Sequence, residues 1–153
     1  MRAALQLFIF ISFLSTSAFS QEKIQWNFDY VAFPSSIQIS AKIENGWHLY
    51  ALDLDPSIGP VPTQIVLEKN KLVKELQPFE VSTTAKKSYD ANFGAEVSYY
   101  EQVFHAHKRI LVKKPTIVKG ELTYMLCDDK RCLPPKTIPF EIKVKPSELE
   151  KPN

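Results

Sequence analysis

Cysteine is scarce in this chain: there are two, Cys127 and Cys132, both inside the stretch YMLCDDKRCLPP at residues 124–135. That excludes a scaffold stapled by several disulfides. Long apolar runs are also missing. No segment approaches the roughly 20 apolar residues that a membrane-spanning helix needs. Apolar spacing at the helical period is nowhere sustained over ten residues, which argues against a helical fold. Charge of one sign is absent too. Lys and Arg number 19 against 17 Asp and Glu, a net +2 with histidines neutral, and the two signs are interspersed. Neither nucleic acid nor an anionic membrane surface fits that balance. There is no internal repeat, low-complexity tract or second domain.

The chain start reads as a targeting segment. Arg2 precedes an apolar run from Leu5 to Leu14 interrupted by Gln6 and Ser12, and Ala18-Phe19-Ser20 puts small residues where a signal peptidase reads them. Residues 1–20 are expected to be a signal peptide cleaved before Gln21. No cysteine lies near that point, so no lipid anchor is expected. Loss of Arg2 takes the net charge from +2 to +1. An exported domain at residues 21–145 follows, with PSELEKPN (residues 146–153) as a flexible tail. Disulfides persist in oxidising compartments. A chain this long buries a core of its own and does not depend on one to fold.

Beyond the leader the sequence is a series of strands and turns. Ile24, Trp26, Phe28 and Tyr30 alternate with other residues, as do Ile37, Ile39, Ala41 and Ile43, which is the period of half-buried strands. Asn45-Gly46 marks a turn before the short strand WHLYA. DLDPSIGPVPT, with three prolines and a glycine, reads as a loop. TQIVLEK, VKELQPF, EVSYYEQVFHAH, RILVKK, IVKGELTYML and TIPFEIKV supply further strands. About eight short strands predict an all-β, immunoglobulin-like antiparallel sandwich. The two cysteines are too close in sequence for the inter-sheet disulfide of a variable-type domain.

Three chemistries compete for the cysteine pair. A local staple is the first, and a ring of six residues contributes only about 2 kcal/mol in the loop-closure model. A metal site is the second: His105 and His107 share a strand face and could join the cysteines, whose four intervening residues sit at the upper limit of zinc-ligand spacing. Exchange chemistry is the third. It does not follow the thioredoxin pattern, which has two intervening residues at a helix start. Lys130 and Arg131 favour a thiolate while Asp128 and Asp129 oppose one. The residues alone leave the three open.

Four motifs occur in order: GWHLY at 46–50, GPVPT at 59–63, YDANFG at 89–94 and YMLCDDKRCLPP at 124–135. Together they resemble the amino-terminal domain of the thiol:disulfide interchange protein DsbD, over about Ile24 to Val144. The resemblance implies an immunoglobulin-like sandwich of the bacterial periplasm that acts as a thiol:disulfide oxidoreductase without cofactor or metal. It implies that Cys127 and Cys132 form the redox disulfide and that Cys132 joins a partner in the mixed disulfide. It makes Asp90, Asn92 and Phe93 a cap loop, with the Phe93 ring covering the disulfide. It sets His48 and Tyr50 beside the cysteines, His48 standing where a tyrosine is usual. The implied partners are periplasmic thioredoxin-like proteins and a separate membrane or soluble electron donor, met by a monomeric domain.

Overall fold

The computed structural model describes residues 22–147. The expected signal peptide and all but the first two residues of the expected tail lie outside them.

Period-two burial builds the first sheet. Strand β1 (Ile24–Ala32) pairs with β2 (Ser35–Ile43) along its whole length. Further along the chain come β3 (His48–Tyr50), β4 (Gln64–Leu67), β5 (Val73–Glu75), β6 (Glu80–Val81), β7 (Lys86–Asp90), β8 (Ala95–Glu101) and β9 (Val103–Val112). The other edge of β2 pairs with β9, and β5 and β6 pair with β9. Strands β10 (Thr116–Tyr124), β11 (Leu126–Cys127) and β12 (Lys136–Val144) complete the order. The second sheet runs β12–β10–β4. All pairings are antiparallel.

The two sheets share one core. Ile37, Ile39 and Ala41 of β2, Phe104 and Ile110 of β9, Val118 and Leu122 of β10, and Phe140 and Ile142 of β12 are buried in a single cluster. The Phe28 ring stacks on Phe140 with centroids 4.5 Å apart, and Trp26 fits between Phe104 and Tyr124. These contacts join the sheets face to face, as in a β-sandwich. Among the described residues the only helical element is a 3-10 turn, Pro56–Ile58, where the Asp55 carboxylate accepts the Ser57 amide at 2.8 Å.

A third sheet, β11–β3–β8–β7, grows out of one end of the sandwich. Two of its strands are directly continuous with sandwich strands, and a third follows a turn. One residue, Gln102, separates β8 from β9; its φ of 62° lies in the left-handed region, and its carbonyl accepts the Ile43 amide at 2.8 Å. Met125 alone separates β10 from β11. The turn through Asn45 and Gly46, where φ is 83°, carries β2 into β3. This small sheet has its own buried cluster of Tyr50, Leu54, Val97, Met125 and Cys127.

Twelve strands stand among the described residues where about eight were expected. EVSYYEQVFHAH is broken at Gln102, and RILVKK is the end of β9 and no separate strand. Strand β7 was not anticipated, because four of its five residues are exposed and show no alternation.

Because Cys127 belongs to the small cluster, the sandwich core does not need the disulfide. Cys127→Ala/Cys132→Ala should lose about 2–4 kcal/mol, the ring term plus lost sulfur packing. It should still unfold in one cooperative transition in guanidinium, monitored by tryptophan fluorescence.

Candidate functional site

The cysteine hairpin is shaped by its own aspartate. Cys127 and Cys132 face each other across an isolated antiparallel bridge and form a disulfide, their Cα atoms 4.0 Å apart. The Asp128 amide bonds the Arg131 carbonyl at 2.9 Å, and the Leu133 amide bonds the Leu126 carbonyl at 2.8 Å. The Asp128 carboxylate accepts the amides of Lys130 and Arg131 at 2.8 and 2.9 Å. Those bonds hold its pKa below the ordinary carboxylate value, the one from the Lys130 amide contributing most. The charged run CDDKRC is therefore a tight turn with its amides satisfied from within. Its closure brings the Cα atoms slightly closer together than the roughly 4.4–6.8 Å usual for a disulfide.

The two sulfurs are not equivalent. Cys127 is 0% exposed, whereas Cys132 is partly exposed at the edge of the same cluster.

A second turn leans over the hairpin. Residues 91–94 connect β7 to β8, with the Gly94 amide on the Asp90 carbonyl at 2.8 Å and Gly94 at φ 66°. The Asp90 carboxylate accepts the Asn92 amide at 2.8 Å and the Tyr50 hydroxyl at 2.5 Å. Asn92 Nδ2 donates to the Asp128 carbonyl at 3.4 Å, linking the two turns. Phe93 packs against the cluster that holds both cysteines, its ring edge-on to Tyr50 at 5.9 Å.

Burial and hydrogen bonding set the electrostatics. Asp90 is 8% exposed. Desolvation pushes its carboxyl up, but the hydrogen bonds from Tyr50 and Asn92, with His48 nearby, outweigh it and hold the pKa below the ordinary value. Tyr50 is driven far above the ordinary phenol range, first by burial and then by its bond to Asp90. His48 Nε2 lies 3.3 Å from the Tyr50 hydroxyl and 3.7 Å from Asp90 Oδ2. Burial lowers the His48 pKa, against the pull of Asp90, Glu101 and Asp129. The rim is two-signed: Asp129 and Glu101 lie on the His48 side, while Arg131 and Lys23 sit over the Trp47 ring at 5.8 and 5.7 Å.

Thus Cys127, Cys132, Asp90, Asn92, Phe93, His48 and Tyr50 converge at one end of the sandwich. His105 and His107 do not join them. Both lie in β9, opposite Ser40 and Gln38 of β2. Among the described residues no group of three or more His, Cys, Asp or Glu could hold a metal ion.

The sequence reading missed Gly59. A Cβ there would come within 2.6 Å of Phe93 Cδ1, so the bare glycine is the seat of the ring. The GPVPT motif was the signal, and its role is visible only once the loop is folded onto the turn at 91–94.

The family model described as thiol:disulfide interchange protein DsbD, N-terminal, matches residues 16–143. The chain belongs to this family. Two solved structures share the fold of this DsbD amino-terminal domain at 14% sequence identity. One is the Neisseria meningitidis DsbD N-terminal domain in the reduced form, with a TM-score of 0.60 over 80% of this chain and 86% of that one. The other is the complex between the DsbD N-terminal and PilB N-terminal domains of the same organism, with a TM-score of 0.59 over 80% and 84%. No curated protein sequence matches the chain.

Phe93 rests on a glycine and on one ring edge, so its removal should expose the disulfide at little cost. Phe93→Ala is expected to speed reduction by dithiothreitol severalfold, because access governs exchange rate, with a stability change of about 1 kcal/mol or less. An unchanged rate would mean that the ring does not restrict access.

Proposed function

We propose that this domain passes reducing equivalents between redox proteins of an oxidising extracytoplasmic compartment, through reversible exchange at Cys127–Cys132. One observation carries the reading beyond family membership: a disulfide between a fully buried cysteine and a partly exposed one, with Phe93 packed against the same cluster. Exchange needs a thiolate to attack one sulfur in line while the other leaves. Here the accessible sulfur is Cys132 and the leaving sulfur is Cys127. Cys127 stays inside the protein, positioned to close the ring again.

Phe93 acts as a lid. Seated on Gly59 and Tyr50, it keeps small thiols off the disulfide, and a protein surface that displaces it gains access. Asp90 and Asn92 hold the turn that carries it. The partner is a thioredoxin-like protein, and the complex of the neisserial domain with PilB supports a protein partner for this fold. Residues 1–20 serve as the export signal. The electron donor is a separate membrane or soluble protein.

Trapping tests the assignment. Cys127→Ala leaves Cys132 free, and mixing it with a thioredoxin-like protein that keeps only its exposed cysteine, activated as the 5-thio-2-nitrobenzoate disulfide, should release that thiolate and give a stable mixed disulfide, mapped to Cys132 by peptide mass spectrometry. Cys132→Ala should trap at least tenfold less, because its remaining thiol is buried. If neither variant forms an adduct and the native disulfide resists excess dithiothreitol, the pair is a structural staple.

A further inference from the structure

Exchange through a buried sulfur poses a proton problem that the arrangement around His48 answers. When the domain is reduced and Cys132 is joined to a partner, Cys127 must attack as a thiolate. In the disulfide form Cys127 lies inside an apolar cluster with no exposure, a setting in which burial disfavours a charged thiolate. Water cannot easily take that proton.

His48 is the residue directly across from Cys127 in the β3–β11 pairing. Opposed residues of an antiparallel pair share a sheet face, with Cβ atoms about 4.5–5.5 Å apart. The imidazole is wedged between the rings of Tyr50 and Tyr99, at centroid distances of 5.2 and 4.9 Å. Its tautomer follows from the hydrogen bonds. The single Tyr50 hydroxyl proton is donated to Asp90, so in the 3.3 Å contact with Tyr50 the hydrogen belongs to His48 Nε2. Nδ1 is left with its lone pair.

We propose that His48 is the proton acceptor for Cys127 during ring closure, with Asp90 supporting the imidazolium that forms. The proposal rests on the exchange reading above. The step balances as follows. Cys127 Sγ–H gives its proton to neutral His48, and the sulfur pair forms the Cys127–Cys132 bond. The bond between Cys132 and the partner sulfur breaks, and its electron pair leaves on the partner sulfur. The cysteine pair is oxidised by two electrons and the partner disulfide is reduced. The leaving thiolate takes up a proton, and the imidazolium returns its own to solvent. In the opposite direction the imidazolium protonates the Cys127 thiolate as it leaves.

The surroundings suit an imidazole that is neutral at rest and stabilised once charged. Facing it are Asp90 from the end of β7, Tyr99 and Glu101 from β8, Asp128 and Asp129 from the cysteine hairpin, and Tyr50 on its own strand. Glu101 is engaged by Lys86 at 2.6 Å, which leaves Asp90 as the carboxylate nearest Nε2. Burial outweighs these anions in the resting state, so the base form prevails at neutral pH. Its contribution is lost as pH falls through that lowered pKa.

The test isolates ring closure from any protein partner. The reduced domain is loaded at Cys132 with 5-thio-2-nitrobenzoate, and release of that coloured thiolate is followed by stopped flow from pH 5 to 10. With His48 as acceptor, the wild-type rate should fall in acid and stay flat between about pH 7 and 8.5. His48→Gln keeps an N–H for Tyr50 but cannot take a proton. Its rate should be at least tenfold lower at pH 7 and climb about tenfold per pH unit towards the wild-type value, as for an unassisted thiol. A wild-type rate that itself climbs tenfold per unit across pH 7–8.5 overturns the proposal without any variant. So does a His48→Gln profile parallel to wild type. Failure of the exchange reading would look different: ring closure would proceed on the probe while no protein partner is trapped.

Discussion

The site depends on a buried carboxylate. Asp90 ends β7 almost out of water, and a carboxylate there is tolerable only when its oxygens are satisfied. One oxygen accepts the Asn92 amide and the other the Tyr50 hydroxyl, with His48 beside it. Those bonds fix the turn that carries Phe93, orient Tyr50 under that ring and, through Tyr50, assign the proton on His48. Asn92 then reaches the Asp128 carbonyl and ties the turn to the cysteine hairpin. The carboxylate pKa is depressed, so its stabilising contribution is present above the ordinary carboxylate value and disappears as pH falls through the lowered one.

The fold supplies this site by extending its strands beyond the core. β9, β10 and β2 of the sandwich are each joined to the small sheet through Gln102, Met125 and the Asn45-Gly46 turn. The large core and the small cluster are therefore separate packings on continuous chain. The first is the larger, with twenty buried residues against five in the second among the described residues. On the proposed function, the second holds the disulfide that opens, the ring that is displaced and the histidine that takes up a proton, without unfolding the domain.

Much of the fold was legible in the sequence, because β1, β2 and β12 bury alternate residues and turn chemistry marks their ends. The break at Gln102 was not, since a single residue in the left-handed region leaves the apolar alternation on either side intact. Strand β7 was hidden for the opposite reason: four of its five residues are exposed, and Tyr89 alone among them is apolar. Within the site, the turn between the cysteines could be anticipated, but Asp128 was weighed as a charge near the thiols. Its carboxylate is instead occupied by the amides of the turn. Gly59 as the seat of Phe93 and His48 as the strand partner of Cys127 are long-range relations that spacing alone does not report.

On the proposed function, labour is divided between two sulfurs, one presented to a partner and one kept inside with a base across the strand. Timed alkylation of the reduced wild-type domain with iodoacetamide, quenched and read by peptide mass spectrometry under native conditions, measures that division directly. Cys132 should be modified first and Cys127 at least tenfold more slowly. Equal rates, or faster modification of Cys127, would contradict the account.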